Sequence, residues 1–194
     1  MNKLQGFYSL EKSNLPAVPW RKYSSDTIFS DNILWTVRSA VKEGEDLNLP
    51  RKVGVRAEIA KEFAKNLYSS LNSEDLIIYY PYFIALKSGV IDISQHRTVI
   101  EAVKDDLWNL VTYNKKDVTI IFNDDIEIIG NEKFFEQNEL LELIDYCITI
   151  RKKFQSEISN QKSVLLEWSF ACESDLYKNP IGDARLVFYE IRTV

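Results

Sequence analysis

The sequence has a single histidine and only two cysteines, so several common catalytic and metal sites lack the residues to build them. His96 has no second histidine for a zinc site, and no Ser–His–Asp order is present. Cys147 and Cys172 are not spaced as metal ligands, which favours a reduced, cytoplasmic setting. No G-x-G-x-x-G run exists to bind a dinucleotide. We expect His96 to be an exposed turn residue, because it follows Ser94 and Gln95 in a hairpin loop.

Excess positive charge and long apolar runs are also missing. The chain has 24 basic and 29 acidic residues, and this net charge of −5 argues against a nucleic-acid or anionic-membrane surface. No apolar run reaches the roughly 20 residues that a membrane helix needs, and no signal-peptide pattern opens the sequence. The 45% hydrophobic content is nevertheless ample for a folded core. These features predict a cytoplasmic globular protein without nucleic-acid or membrane partners.

Hydrophobic periodicity predicts strands interleaved with two long helices, at Arg56–Leu71 and Phe135–Ile158. A turn is predicted at Lys87–Val90, leading into the strand Val90–Ser94. The other predicted strands are Ile33–Ala40, Asp75–Ile84, Thr98–Val103, Asp117–Phe122, Ile126–Ile129, Val164–Phe170 and Arg185–Arg192. We interpret residues 1–32 as an irregular lead-in and 33–194 as one domain. This order of elements indicates an α+β fold with a mostly antiparallel sheet.

The last two predicted strands carry charges inside apolar runs. Glu167 lies within the first strand, and Glu190 and Arg192 lie two residues apart in the second, so that both leave the same face. A carboxylate costs several kcal/mol to bury without a partner. The pattern therefore predicts either an ion-pair cluster or a site for a hard cation and phosphates.

These strands resemble the end of the nucleotide-binding domain of phosphoenolpyruvate synthase and pyruvate phosphate dikinase, an ATP-grasp fold. That family closes with I-E-W-A and L-Y-I-L-Q-A-R-P-V, which Leu166–Trp168 and Leu186–Val194 match. Three further family patterns, V-R-S-S-A with an acidic E-D, S-G-V and I-E-A, have counterparts in Val37–Ala40, Glu45–Leu47, Ser88–Val90 and Ile100–Ala102. The resemblance covers most of the chain and implies an ATP-grasp-like domain.

The resemblance also implies a role for five residues. Glu167 and Glu190 would hold Mg²⁺, with Glu190 standing where the family has Gln. Arg38 and Arg192 would bind the phosphates of ATP, and Glu101 of the I-E-A match joins the nucleotide-binding residues. The residue type alone leaves open that Arg38 is a strand-end arginine paired with a surface acid.

Several family features are replaced. Tyr80 occupies a Gln position, and Asp105–Trp108 replaces a G-L-G-E run on the adenine side of the pocket. We predict that Trp108 is a core residue of an amphipathic strand, although it could stack on a base. The loop at 48–55 has one glycine and one proline, with Arg51, Lys52 and Arg56 either replacing a phosphate cradle or forming solvated surface.

Two hypotheses follow. The first is a stand-alone module that binds Mg·ATP, possibly for phosphoryl transfer with a partner that supplies the missing phospho-histidine or acceptor domains. The second is a non-catalytic relative in which the same charges form a stabilising ion-pair cluster, and exposed aromatics at Tyr79, Tyr80, Tyr82 and Phe83 form a protein interface. Both hypotheses expect Arg38, Glu167, Glu190 and Arg192 to converge at the mouth of a single curved sheet.

Overall fold

The computed structural model describes residues 3–40, 49–70 and 75–194. The described helices are α1 Lys3–Glu11, α2 Ala57–Ser70, α3 Trp108–Val111, α4 Gln137–Lys153 and α5 Gln155–Ser159. The strands are β1 Arg21–Lys22, β2 Trp35–Ala40, β3 Arg51–Val55, β4 Leu76–Pro81, β5 Phe83–Ile93, β6 Thr98–Lys104, β7 Val118–Phe122, β8 Ile126–Gly130, β9 Val164–Ser174 and β10 Pro180–Thr193. The predicted acidic step at Glu45–Leu47 lies outside the described residues.

The strands form two antiparallel sheets. One has four strands in the order β1-β4-β2-β3, and the other has six in the order β10-β9-β5-β6-β7-β8. Each strand pair recorded among the described residues is antiparallel. The prediction of an α+β fold dominated by antiparallel pairing is therefore confirmed, and the hairpin β7–β8 forms where the sequence indicated.

Two of the helices, α2 and α4, lie on the outer faces of the two sheets. Ala60 and Ala64 of α2 pack on Val37 of β2 and its neighbours in the four-stranded sheet. Leu143 and Ile150 of α4 belong to the main core, on the face of the six-stranded sheet that carries the apolar residues of β9 and β10. The inner faces of the two sheets therefore point towards each other. Within the described part of the chain, no helix combines the length and apolar character needed to cross a membrane.

The predicted helix Phe135–Ile158 is not one continuous helix, because the structure divides it into α4 and α5, and it starts later than predicted. Glu136 is the N-cap of α4 in a capping box, in which its backbone N–H donates to Glu139 Oε2 at 2.8 Å. The helix therefore begins at Gln137, two residues after the predicted start. The helix is interrupted at Phe154, whose φ of −102° and ψ of 27° depart from helical values while its ring is buried in the core. In the last turn of α4, the Arg151 guanidinium donates to the carbonyls of Ser94 and Arg97.

The predicted turn at Lys87–Val90 is also wrong, because β5 runs through it. Gly89 pairs with Ala102 on one side and Trp168 on the other. A Cβ at Gly89 would lie 2.2 Å from the Glu101 carbonyl oxygen and 2.5 Å from the Trp168 ring. The glycine serves close packing rather than a turn.

The N-terminal lead-in is more regular than predicted. It contains α1, which packs against β10, and Phe7 on this helix is buried. Gly6 permits the close approach, because a Cβ there would lie 2.4 Å from the Ile191 carbonyl oxygen. The N-terminal segment is therefore part of the packed structure.

Candidate functional site

A cavity of about 700 Å³ lies between the two sheets. Its size falls within the roughly 300–1,000 Å³ typical of small-molecule sites. Its charged lining residues are Arg38, Arg51, Asp106, Glu167, Glu190 and Arg192, and its aromatic ones are Tyr80, Tyr82, Phe83, Trp108 and Tyr189. The predicted convergence of Arg38, Glu167, Glu190 and Arg192 thus occurs. It takes place between two sheets, and the expectation of a single curved sheet is wrong.

Arg38 reaches the cavity because of the alternation of side chains along β2. Trp35 and Val37 pack on the side of α2, so Thr36 and Arg38 face the other sheet. Arg38 is 8% exposed, and its guanidinium lies 5.7 Å from the centre of the Phe7 ring. The alternative that Arg38 pairs with a surface acid does not hold, because the arginine is buried.

Glu190 reaches the cavity only because of a β-bulge. Phe188 pairs with Trp168 and faces the helices, and regular alternation would place Glu190 on that same apolar face. The register shifts between Phe188 and Glu190, which inserts Tyr189 as an extra residue and pairs Glu190 with Glu167. The bulge therefore turns Glu190 and Arg192 towards the four-stranded sheet.

Glu190 is neutralised by two arginines. Arg192 Nε donates to Glu190 Oε1, and Arg38 Nη2 lies 4.0 Å from Glu190 Oε2. Glu190 is only 2% exposed, so an unpaired carboxylate there would be strongly unfavourable. The sequence-based prediction that the two acids lie on neighbouring strands beside an arginine is confirmed.

The electrostatic environment keeps Arg38 charged. Burial alone lowers the pKa of its guanidinium, but Tyr80, Glu190 and Glu167 together more than offset this effect, and the pKa of Arg38 is raised. Burial raises the pKa of the Tyr80 hydroxyl, which Arg38 only partly counteracts. At neutral pH, the cavity therefore presents a fixed positive charge beside a neutral phenol.

Glu101 is the predicted site residue that the structure does not bring to the cavity. Glu101 and Glu167 both pair with Val90, so Glu101 shares a row and a face of the six-stranded sheet with Glu167 and Glu190. It lies two strands away from Glu167, which corresponds to about 10 Å of sheet. Its carboxylate forms an ion pair with Lys116 Nζ.

A polar network lies on the cavity face of β5, β9 and β10. The Ser88 and Ser169 hydroxyl oxygens are 2.8 Å apart, and Ser88 Oγ donates to the Asp105 carbonyl oxygen at 2.6 Å. Ser169 also bonds the hydroxyl of Tyr189, and burial raises the pKa of that phenol. The network ties the segment that precedes α3 to the floor of the cavity.

Trp108 is the main cavity residue whose position the sequence did not predict. It lies on the short helix α3, not on a strand, and it is 43% exposed. Its backbone N–H donates to Asp106 Oδ1 at 2.8 Å, which is the aspartate-led turn that starts the helix. The Asp105-Asp106 pair was the available signal, since aspartates favour helix starts over strand interiors. The aromatics predicted to be exposed are instead mostly buried, namely Tyr79, Tyr80 and Phe83.

The donors in the cavity suit phosphate oxygens. Three guanidinium groups line it, and Arg38 Nε is buried without a hydrogen-bond partner among the described residues. An orphaned donor of this kind is unfavourable unless a ligand oxygen accepts from it.

The two cavity carboxylates Glu167 and Glu190 suit Mg²⁺ only when other ligands complete the coordination shell. Glu167 and Glu190 are directly paired across β9 and β10. Within residues 3–40, 49–70 and 75–194, no group of three or more His, Cys, Asp or Glu side chains is placed to hold a metal alone. Mg²⁺ commonly takes only one or two protein carboxylates and completes its shell with phosphates and water. The pair therefore fits a metal that arrives with a polyphosphate.

No protein-family model matches this chain, and the search of curated proteins also finds no match.

Proposed function

We propose that the cavity between the two sheets binds Mg·ATP and that the chain is an ATP-grasp-like module related to phosphoenolpyruvate synthase. The observation that carries this proposal is the meeting of Arg38, Glu167, Glu190 and Arg192 in one cavity. Up to 154 residues separate them along the chain, and the motif resemblance alone points to the same four residues. A chance motif match gives no reason for four such residues to share a site.

Each side chain has a definite task in this proposal. Arg38 and Arg192 bind phosphate oxygens, for which a planar and permanently charged group with several donors is well suited. Glu167 and Glu190 hold the magnesium ion, which neutralises phosphate charge when it is bound. Arg192 already orients Glu190 through its Nε.

Phosphoryl transfer is the reaction class that this arrangement would serve. Such transfer depends mostly on positioning and charge neutralisation, and the cavity residues provide both. We propose that a protein partner supplies the acceptor, because the family's phospho-histidine motif has no counterpart in this sequence.

Isothermal titration calorimetry with Mg·ATP tests the proposal. We expect binding heat at millimolar nucleotide or below, and a weaker response when EDTA removes magnesium. Glu167→Gln should weaken the binding of magnesium in the ATP complex about tenfold, because one ligand charge is lost. Glu101→Gln is the matched control, since Glu101 shares the sheet face but pairs with Lys116 outside the cavity. Absence of heat at millimolar Mg·ATP would reject the proposal.

A second candidate function is a structural or partner-binding domain without nucleotide binding. The observation that favours it is the contact of Glu190 with both Arg192 and Arg38, which already compensates the buried carboxylate. In this case, Arg192→Ala should destabilise the fold while the unaltered protein shows no response to nucleotide. Unfolding curves with and without Mg·ATP separate the two functions, because a ligand that binds the native state raises its stability.

A further inference from the structure

Trp108 is an unusual tryptophan for this chain. It is 43% exposed on the cavity wall, whereas Trp35 is only 8% exposed and Trp168 is 0% exposed. Trp20, the remaining tryptophan, is partly buried against Phe7 and Tyr8. An exposed indole forgoes much of the large hydrophobic stabilisation that its burial would give. The position of the ring on a cavity wall indicates that a ligand can cover it.

Trp108 is already in contact with a planar cation from the other sheet. The Arg51 guanidinium carbon lies 4.6 Å from the centre of the Trp108 ring. Arg51 belongs to β3 of the four-stranded sheet, and Trp108 follows β6 of the six-stranded sheet. The pair therefore spans the cavity between its two walls. Indole and guanidinium planes both stack favourably on aromatic heterocycles.

The position of the ring is fixed by its own segment. Asp106 accepts from the Trp108 backbone N–H, and Leu110 of the same short helix is buried. The chain around β3 and α3 contributes four apolar lining residues beside the polar Arg51, Asp106 and Thr112, namely Leu49, Val53, Leu107 and Val111. The cluster of Arg38, Glu167, Glu190 and Arg192 comes from other elements, β2, β9 and β10. The cavity lining thus has an apolar and aromatic set beside a charged set, which matches a ligand with a flat ring and an anionic tail.

We propose that Trp108, supported by Arg51, stacks on the heterocyclic base of the bound nucleotide and so selects nucleoside polyphosphates over inorganic polyphosphates. This inference rests on the proposed function, because it assigns the base to a cavity whose phosphates are held by Arg38 and Arg192. Trp108 is a binding and specificity residue, not a catalytic one. It stands where the resembling family has glycines and a glutamate, so this contact is particular to this chain.

Calorimetric titration of the full chain with Mg·ATP, Mg·GTP and magnesium tripolyphosphate tests the inference. Trp108→Ala should weaken ATP and GTP binding by about 5- to 150-fold, the range expected for loss of one base–aromatic stack. Tripolyphosphate binding should stay unchanged, because that ligand has no base. Trp108→Phe should retain most of the nucleotide affinity. Tyr113→Ala is the matched control, since Tyr113 is a 61% exposed aromatic nearby that does not line the cavity.

Each contrary result has a separate meaning. Unchanged ATP affinity in Trp108→Ala, or an equal loss for ATP and tripolyphosphate, would overturn the stacking role and leave the proposed nucleotide site standing. Equal affinity of the unaltered protein for tripolyphosphate and ATP would also overturn it. Failure of the unaltered protein to bind any nucleoside triphosphate would overturn both proposals together.

Discussion

The two faces of the six-stranded sheet differ sharply in chemistry, although the same strands build both. On the helix side, Leu166, Trp168 and Phe188 belong to an apolar core. On the cavity side, Glu167 lies between Leu166 and Trp168 in the sequence, and Glu190 follows Phe188 by two residues. Glu190 is only 2% exposed, so exposure to solvent does not explain its charge. Charges are retained on a covered face where partners or ligands can satisfy them.

The two faces are stabilised in different ways, so different substitutions should destabilise them. The apolar face is stabilised by tight packing, so the loss of volume there should cost the most free energy. The cavity face is stabilised by mutual charge compensation, so the loss of one partner leaves the other charge buried and uncompensated.

The largest expected effect is that of Trp168→Ala on the apolar face. Trp168 is fully buried, with its ring 5.6 Å from that of Phe170 and 5.9 Å from that of Phe135. Its removal should lower the free energy of unfolding by about 3–5 kcal/mol, since the close-packed core cannot fill the void that the ring leaves. Urea denaturation measures the change. Trp108→Ala is the control, and it should lower the free energy of unfolding by only about 1 kcal/mol, because the 43% exposed ring loses mainly its contact with Arg51. Equal losses in both variants would contradict the packing argument.

A somewhat smaller effect is expected from Glu190→Gln on the cavity face. The change removes the charge that compensates Arg38 and Arg192, and it should lower the free energy of unfolding by about 3 kcal/mol. This lies at the low end for buried pairs, because the Arg192 side chain is 26% exposed and can still gain hydration.

Glu101→Gln provides the matched control for this change. Its ion pair with Lys116 lies on the same sheet face but is 30–38% exposed, so the loss should stay below about 1 kcal/mol. A cost for Glu190→Gln no greater than that for Glu101→Gln would show that the buried cluster is not compensated as described.

The smallest effect concerns pH and Cys147, which lies on α4 in the apolar core. Burial raises the pKa of its thiol from 9.0 to about 12, slightly opposed by Arg151. Above pH 9, the thiol loses its proton in the unfolded chain but keeps it in the folded protein. The full contribution of Cys147 to stability is therefore present only below pH 9. It should then fall by roughly 1 kcal/mol per pH unit towards the folded pKa.

Urea unfolding at pH 8, 9 and 10 of the unaltered protein and of Cys147→Val measures this effect. The valine variant should show the shallower decline, because the buried tyrosines contribute equally to both proteins. Identical pH slopes would mean that the thiol is not held in the core.

Much of the fold was predictable because apolar periodicity and turn residues act locally. The hairpin β7–β8, the strands β2, β6, β9 and β10, and the existence of α2 all follow from such patterns. The turn prediction at Gly89 failed because a glycine that permits a close approach has the same sequence signature as one that permits a turn. The prediction for Trp108 failed because an aromatic residue is normally buried, and its exposure depends on the wall that α3 forms.

The candidate site was predictable only in its residue types. Arg38, Glu167, Glu190 and Arg192 were identified from motifs, whereas Arg51 and Trp108 became a pair only when the two sheets were placed face to face. Glu101 matched its motif equally well, but it lies two strands from Glu167 and outside the cavity.

The sequence by itself determined which side chains are charged within apolar strands, and hence that buried charges must find partners. Only the tertiary structure decided which face each charge occupies. A single extra residue, Tyr189, turns Glu190 from the helix side to the cavity side. The physical reason is that side-chain direction alternates with every residue, so one bulge, set by the pairing of β10 with β9, reverses the face of the residues that follow it.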